Sequence, residues 1–172
     1  MRLRRPRRNR QAPGDSPVGQ PPGDQFGHLQ LTAGQPRLRA HRLAVDLAAA
    51  VMTIEQVPDI PMFRQNTAAF VHDLPRGSLS NVDGEGSYVR IQVLTNAGAL
   101  DRRKQLAVVE RLTNIVAAAA GDPALAGRTW VLLTEAPDGG WGLGGHANTN
   151  EELVAAARAQ IASLQAGKPA DR

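Results

Sequence analysis

The 172-residue chain contains no cysteine, which excludes disulfide bridges and thiolate chemistry. Aromatic residues are also scarce: two Trp, one Tyr and three Phe make up 3% of the sequence. The four histidines are scattered, so no ligand cluster of the kind that holds zinc is in view. No apolar run approaches the roughly 20 residues needed to span a bilayer. A transmembrane protein and a disulfide scaffold are therefore set aside, and a cytoplasmic location is expected. No glycine-rich stretch has the strand-to-helix context of a phosphate cradle.

Charge is distributed unevenly. Residues 1–42 hold nine Arg against Asp15 and Asp24, a net +7, and residues 43–172 hold eleven Lys or Arg against fourteen acids, a net −3. The first 24 residues are rich in Arg, Pro and Gly and offer little to bury, so they read as a disordered tail. A basic arm for nucleic acid is the functional alternative. It rests on composition alone, and nucleic acid is not the expected partner. Residues 1–24 are expected to be dispensable for folding.

The most informative stretch is Tyr88 to Gly145. Tyr88 to Leu94 alternates apolar and polar residues, as a half-buried strand does. Asp101 is placed to cap a helix running to Ala120, with Leu106, Val109, Leu112 and Val116 on one face. Gly121-Asp122-Pro123 stops it. Thr129 to Thr134 is a nearly continuous apolar run and predicts a strand buried on both faces. A glycine-rich hairpin, Gly139 to Gly145, follows.

The first half echoes this order. Phe26–Thr32 predicts a strand with Leu29 and Leu31 on one face. Residues 38–56 predict a helix carrying Leu43, Leu47, Val51 and Ile54, and Thr67–His72 predicts a second strand. The two Ala-Gly steps lie 64 residues apart and the two acid-x-Pro steps 62 apart. An internal repeat of one strand–helix–strand unit follows. The expected fold class is α+β: tandem β-α-β units forming a four-stranded sheet with two helices on one face, plus a C-terminal helix. The expected divisions are a tail (1–24), a first unit (25–80), a second unit (81–147) and a C-terminal helix with a frayed end (148–172). Asn148 or Asn150 is the expected cap of the last helix.

The strand Ile91-Gln92-Val93-Leu94, the Asp101 helix start, Leu133-Thr134-Glu135 and Gly139-x-Trp141-Gly142-Leu143-Gly144-Gly145 together resemble the 4-oxalocrotonate tautomerase family. The resemblance spans about residues 25–146. It implies a cofactor-free enzyme whose base or acid is an amino-terminal proline, with arginines holding a substrate carboxylate and an aromatic residue walling the pocket. Short chains of the family pair and assemble as hexamers, so a fused chain implies a homotrimer.

Carried over by position, the family's proline falls on Gln25 in the first unit and on Ser87 in the second. Neither is a competent base near neutral pH. No Met-Pro dipeptide exists, and the nitrogens of Pro21 and Pro22 are amides in the chain as written. The loop arginine falls on Gln35 and Ala99, with Arg37 and Arg39 close by in the first unit. The arginine at the start of the second strand falls on Trp130, and Arg64 is the nearest candidate in the first unit. Arg90 lies on the polar face of its strand, where it could reach an anion from a neighbouring subunit. The aromatic wall matches Trp141. For each of these a plainer reading stands beside the functional one: solvated charges for the arginines, a core or interface aromatic for the tryptophans.

The expected function is a tautomerase-like isomerase. It would carry out cofactor-independent keto-enol tautomerisation of a small 2-oxo or enol carboxylate, weakly, because the proline is absent. The alternative is a non-catalytic protein of the same fold acting through homo-oligomeric assembly.

Overall fold

The computed structural model describes residues 36–167, with side chains from residue 39 onward. The strand expected at Phe26–Thr32, the position of Gln25 and the tail lie outside the described residues.

Helix α1 (Pro36–Glu55) ends ahead of Pro58, with Gln56 in a left-handed conformation at φ 65°. Pro61 then occupies the first position of a short helix α2 (Pro61–Asn66), where its missing N–H costs nothing. Strand β1 (Val89–Asn96) feeds helix α3 (Arg102–Ala120), whose Asp101 side chain accepts from the Lys104 N–H at 2.8 Å. Gly121 closes α3 at φ 67°, with its N–H and that of Asp122 returning to Ala118 and Ala117. A side chain with a Cβ is disfavoured in this left-handed cap. A 3-10 turn (Pro123–Arg128) leads into strand β2 (Thr129–Ala136). Strands β3 (Trp141–Leu143) and β4 (His146–Asn148) form a hairpin. Helix α4 (Asn150–Ala166) follows.

β1 and β2 pair in parallel from Val89↔Thr129 to Asn96↔Ala136. A helix crossover makes that direction the expected one. One face of the pair carries Ile91, Val93, Val131 and Leu133. These pack with Val108, Leu112 and Ile115 of α3 and with Leu47, Ala50, Val51 and Ile54 of α1. Both long helices therefore contribute to one core on that side of the pair, α3 packing on β2 and α1 packing on α3. Lys104 of α3 also donates to the Glu55 carbonyl at 2.8 Å, closing the end of α1. Burial pushes the Glu55 carboxyl above its ordinary range, and the Lys104 charge partly opposes this.

The described residues contain two two-stranded sheets, and the expected four-stranded sheet would need Phe26–Thr32, which lies outside them. Other expectations are corrected. Thr67–His72 joins no ladder among the described residues, where its backbone finds no partner. β2 is not buried on both faces: its burial alternates, and Trp130 and Leu132 are exposed. Among the described residues no helix covers that second face, where Trp130 and Leu132 stay exposed.

On α3 the buried stripe is Val108, Leu112 and Val116, whereas Leu106 and Val109 are exposed. The apolar residues of this helix wrap wider than the stripe it buries, so spacing alone misplaces the seam. The cap of α4 is Thr149, not Asn148 or Asn150. Its hydroxyl accepts from the Glu152 N–H, and Glu152 accepts from the Thr149 N–H at 2.8 Å, a reciprocal capping box. Asn150 instead joins α4 to the end of β1, donating from Nδ2 to the Ala97 carbonyl at 3.0 Å.

Candidate functional site

Parallel register decides which side chains meet. Arg90 is the partner of Trp130, and Gln92 of Leu132, so these four share the uncovered sheet face. Tyr88 joins them one step earlier. Its ring lies 4.8 Å from the Trp130 ring, tilted by 32°. The Tyr88 hydroxyl accepts from Asn81 Nδ2 at 3.2 Å, and Asn81 Oδ1 in turn accepts from the N–H groups of Asp83 and Glu85. The loop before β1 is thus tied to the aromatic pair. Arg90 Nη2 donates to Gln92 Oε1 at 2.9 Å and forms no ion pair among the described residues. A neutral partner leaves the guanidinium charge uncompensated, and its planar fork suits a carboxylate.

Ser87 stands at the foot of β1. It is internal, so its nitrogen is an amide without basic character, and its carbonyl accepts from Arg128 Nη1. Arg128 also donates from Nη2 to Asp122 Oδ2 at 2.8 Å. Asp122 is engaged a second time, accepting from the Ala124 N–H at 3.0 Å. Arg128 is the residue that sequence reasoning passed over. Matching by position selected Trp130, two residues on, while the guanidinium beside Ser87 belongs to the 3-10 turn. The Asp122-Pro123 turn followed by Arg128 was the available signal. Paired with Asp122 and bonded to backbone, Arg128 is a tie rather than a free anion receptor.

The remaining candidates are not brought to this end. Arg64 lies on α2, where Nη1 donates to Asp59 Oδ1 at 2.7 Å; that bond raises its already high pKa. Trp141 is half-buried in β3, past the opposite end of β2, and its carbonyl accepts from Asn148 Nδ2 at 3.2 Å. No hydrogen bond, ion pair or ring contact among the described residues joins Arg64 or Trp141 to Arg90 or Trp130. Arg37 is in α1, and its side chain lies outside the described residues.

The expected hairpin is present. Gly144 and Gly145, at φ 61° and 80°, make the two-residue turn between β3 and β4. His146 Nε2 lies 3.2 Å from Glu152 Oε1, so hairpin and α4 meet at the capping box. The Thr149 backbone N–H, with His146 adding to it, holds the Glu152 carboxyl below its ordinary range.

What the uncovered face can do follows from its parts. Arg90 can bind a carboxylate, and the Tyr88–Trp130 pair can wall a flat, conjugated body beside it. No side chain among Tyr88, Arg90, Gln92 and Trp130 is a strong base near neutral pH.

This α+β arrangement is a fold that the chain shares with solved structures of fused 4-OT. Among solved structures the chain is similar to native fused 4-OT, at 20% identity and a TM-score of 0.56, over 71% of this chain and 93% of that one. It is likewise similar to the F6 fused 4-OT asymmetric trimer, at 20% identity and a TM-score of 0.57, over 70% and 92%. Malonate semialdehyde decarboxylase matches at 18% identity and a TM-score of 0.51, over 72% and 92%. At these identities the likeness shows the fold. The fused form fits the two halves of this chain. No protein-family model matches the sequence, and no curated protein matches it.

Proposed function

We propose that this chain is a cofactor-independent, tautomerase-like isomerase of small 2-oxo or enol carboxylates, and a slow one. The observation that carries the reading is the register pairing of Arg90 with Trp130 beside Tyr88. It sets an uncompensated guanidinium next to an aromatic wall. Arg90 would hold the carboxylate, the aromatic pair would flank the enol, and water would move the proton between carbon and oxygen. An amine base has no place at Ser87, whose nitrogen is acylated.

The finer architecture goes with this reading. Strands at Phe26–Thr32 and Thr67–His72 complete a four-stranded sheet within units 25–80 and 81–147. Three copies then associate, and a neighbouring copy can bring Trp141, Arg37 or Arg64 towards Arg90. The expected place of work is the cytoplasm, with no membrane or nucleic-acid partner.

The test is ketonisation of phenylenolpyruvate by the full chain. Turnover above buffer is expected, about 10²–10⁴-fold below that of a proline-dependent enzyme, the usual cost of lacking a positioned general base. Arg90→Ala should remove most of it while leaving the circular dichroism spectrum unchanged. A rate indifferent to both Arg90→Ala and Trp130→Ala would refute the assignment.

The second reading is a non-catalytic protein of this fold that works by assembly. Leu94, Trp130 and Leu132 favour it, being exposed together on the uncovered sheet face. It predicts association without turnover.

A further inference from the structure

The loop ahead of β1 is built more tightly than a connection needs to be. The Asn81 N–H donates to the Glu85 carbonyl at 2.9 Å, and the Gly84 N–H to the Asn81 carbonyl at 3.2 Å. Gly84 makes the turn in a left-handed conformation, at φ 88°. A Cβ on Gly86 would stand 2.7 Å from the Leu79 carbonyl oxygen, so glycine lets the two ends of the loop lie backbone against backbone. The Asn81 side chain closes the ring from within. Its Oδ1 accepts from the Asp83 N–H at 2.9 Å and from the Glu85 N–H at 2.8 Å.

Those two amides decide which way Asn81 faces. A backbone N–H only donates, so the side-chain oxygen is turned to the loop and Nδ2 to Tyr88. Nδ2 donates and the Tyr88 hydroxyl oxygen accepts, at 3.2 Å. A phenol has one hydrogen of its own to give. At Tyr88 that hydrogen has no acceptor among the described residues. The ring itself is held by Trp130, 4.8 Å away. Tyr88 is therefore an O–H donor fixed at two points and left open. A donor placed before its partner arrives loses little freedom on binding.

The neighbourhood defines what this donor meets. Arg90 lies two residues on, roughly 7 Å away along an extended chain. Trp130 is the register partner of Arg90 and also touches the Tyr88 ring. A cation and an O–H donor thus flank one aromatic wall on the uncovered face. A carboxylate on Arg90 brings the atom bonded to its next carbon towards the second donor.

We infer that Tyr88 is the specificity-determining residue of this face. Its O–H donates to the oxygen on the carbon next to the carboxylate, the oxo or enol oxygen that separates a 2-oxo acid from a plain one. Asn81 is its positioning residue: by donating to the phenol it leaves the phenol hydrogen for the ligand. The inference rests on the reading of Arg90 as the carboxylate receptor.

Two ligands of one skeleton test it on the full chain. They are phenylpyruvate and 3-phenylpropionate, which lacks the oxo oxygen, and titration calorimetry gives the dissociation constants. The native chain should bind phenylpyruvate about 3- to 10-fold more tightly, the usual net effect of one hydrogen bond. Tyr88→Phe should bring the two constants together. Asn81→Asp should do the same by a different route. Its carboxylate still accepts from the Asp83 and Glu85 amides, but it can only accept from the phenol, so it takes the hydrogen that the ligand would use. The charge it adds acts on both ligands alike and leaves their ratio as the readout. A merely structural Asn81 would keep the ratio in Asn81→Asp, since the phenol stays held. No preference in the native chain, or a preference that survives Tyr88→Phe or Asn81→Asp, would overturn the inference and leave Arg90 as the carboxylate receptor. Arg90→Ala should weaken both ligands. Binding indifferent to Arg90→Ala, or no binding of either ligand, would refute the carboxylate site and the inference with it.

Discussion

Leu112 and Val108 are the side chains most completely shut from water, at 1% and 0% exposure. Leu106 shares their helix and is 55% exposed. The contrast is a direct test of how α3 is phased against the sheet. Leu112→Ala should destabilise by about 2–5 kcal/mol, the range for a truncated core leucine. Leu106→Ala should stay within about 0.5 kcal/mol in the isolated chain. Urea titrations of both variants check this, and equal losses would put Leu106 in the core after all. Arg90 and Arg128 teach the same lesson in charge. Both are arginines near the start of a strand, yet one is committed to Asp122 and a backbone carbonyl while the other faces a neutral glutamine. Only contacts separate a tie from a receptor.

The sharpest termini belong to α3 and α4. The Thr149–Glu152 capping box satisfies two donors that α4 would otherwise leave open. Thr149→Ala should therefore cost about 1 kcal/mol in thermal or urea unfolding. The Glu152 carboxyl is held below its ordinary value in the folded chain, chiefly by the Thr149 N–H and also by His146. Because the folded pKa is the lower one, its contribution is fully present above the ordinary carboxylate range. It is lost as pH falls through the depressed value. The Tm gap between the native chain and Glu152→Gln should accordingly be widest near neutral pH and shrink below about pH 4. A gap that grows on acidification would contradict the assignment. The short helix α2 and the 3-10 turn before β2 were not legible in the sequence. Each is about one or two turns long, too short for a periodic pattern to declare itself. The Asp101 cap and the Gly121 stop were legible, because each works through a single residue type at a single place.

At the scale of the whole molecule, the uncovered sheet face carries Leu94, Trp130 and Leu132 in the open. We expect it to be closed by association, and a homotrimer by sedimentation at micromolar concentration. A stable monomer would count against both that assembly and any site completed by a neighbour. Tyr88, Arg90 and Trp130 should become protected on association, which hydroxyl-radical footprinting can follow.

Local grammar settled a good deal of this without any tertiary information. Alternation at Tyr88–Leu94, the cap at Asp101, the stop at Gly121-Asp122-Pro123 and the glycine hairpin are short-range effects, decided by neighbouring residues. The α+β class followed from the repeat of those signals. Three matters were decided only in the fold. Which stripe of α3 is buried depends on what packs against it. That β2 buries one face and not two depends on the second face having no helix above it among the described residues. That Arg90 meets Trp130, with Arg128 drawn to Ser87, depends on a parallel register between strands some 40 residues apart. Such a register is set by long-range packing, so no spacing within either strand encodes it.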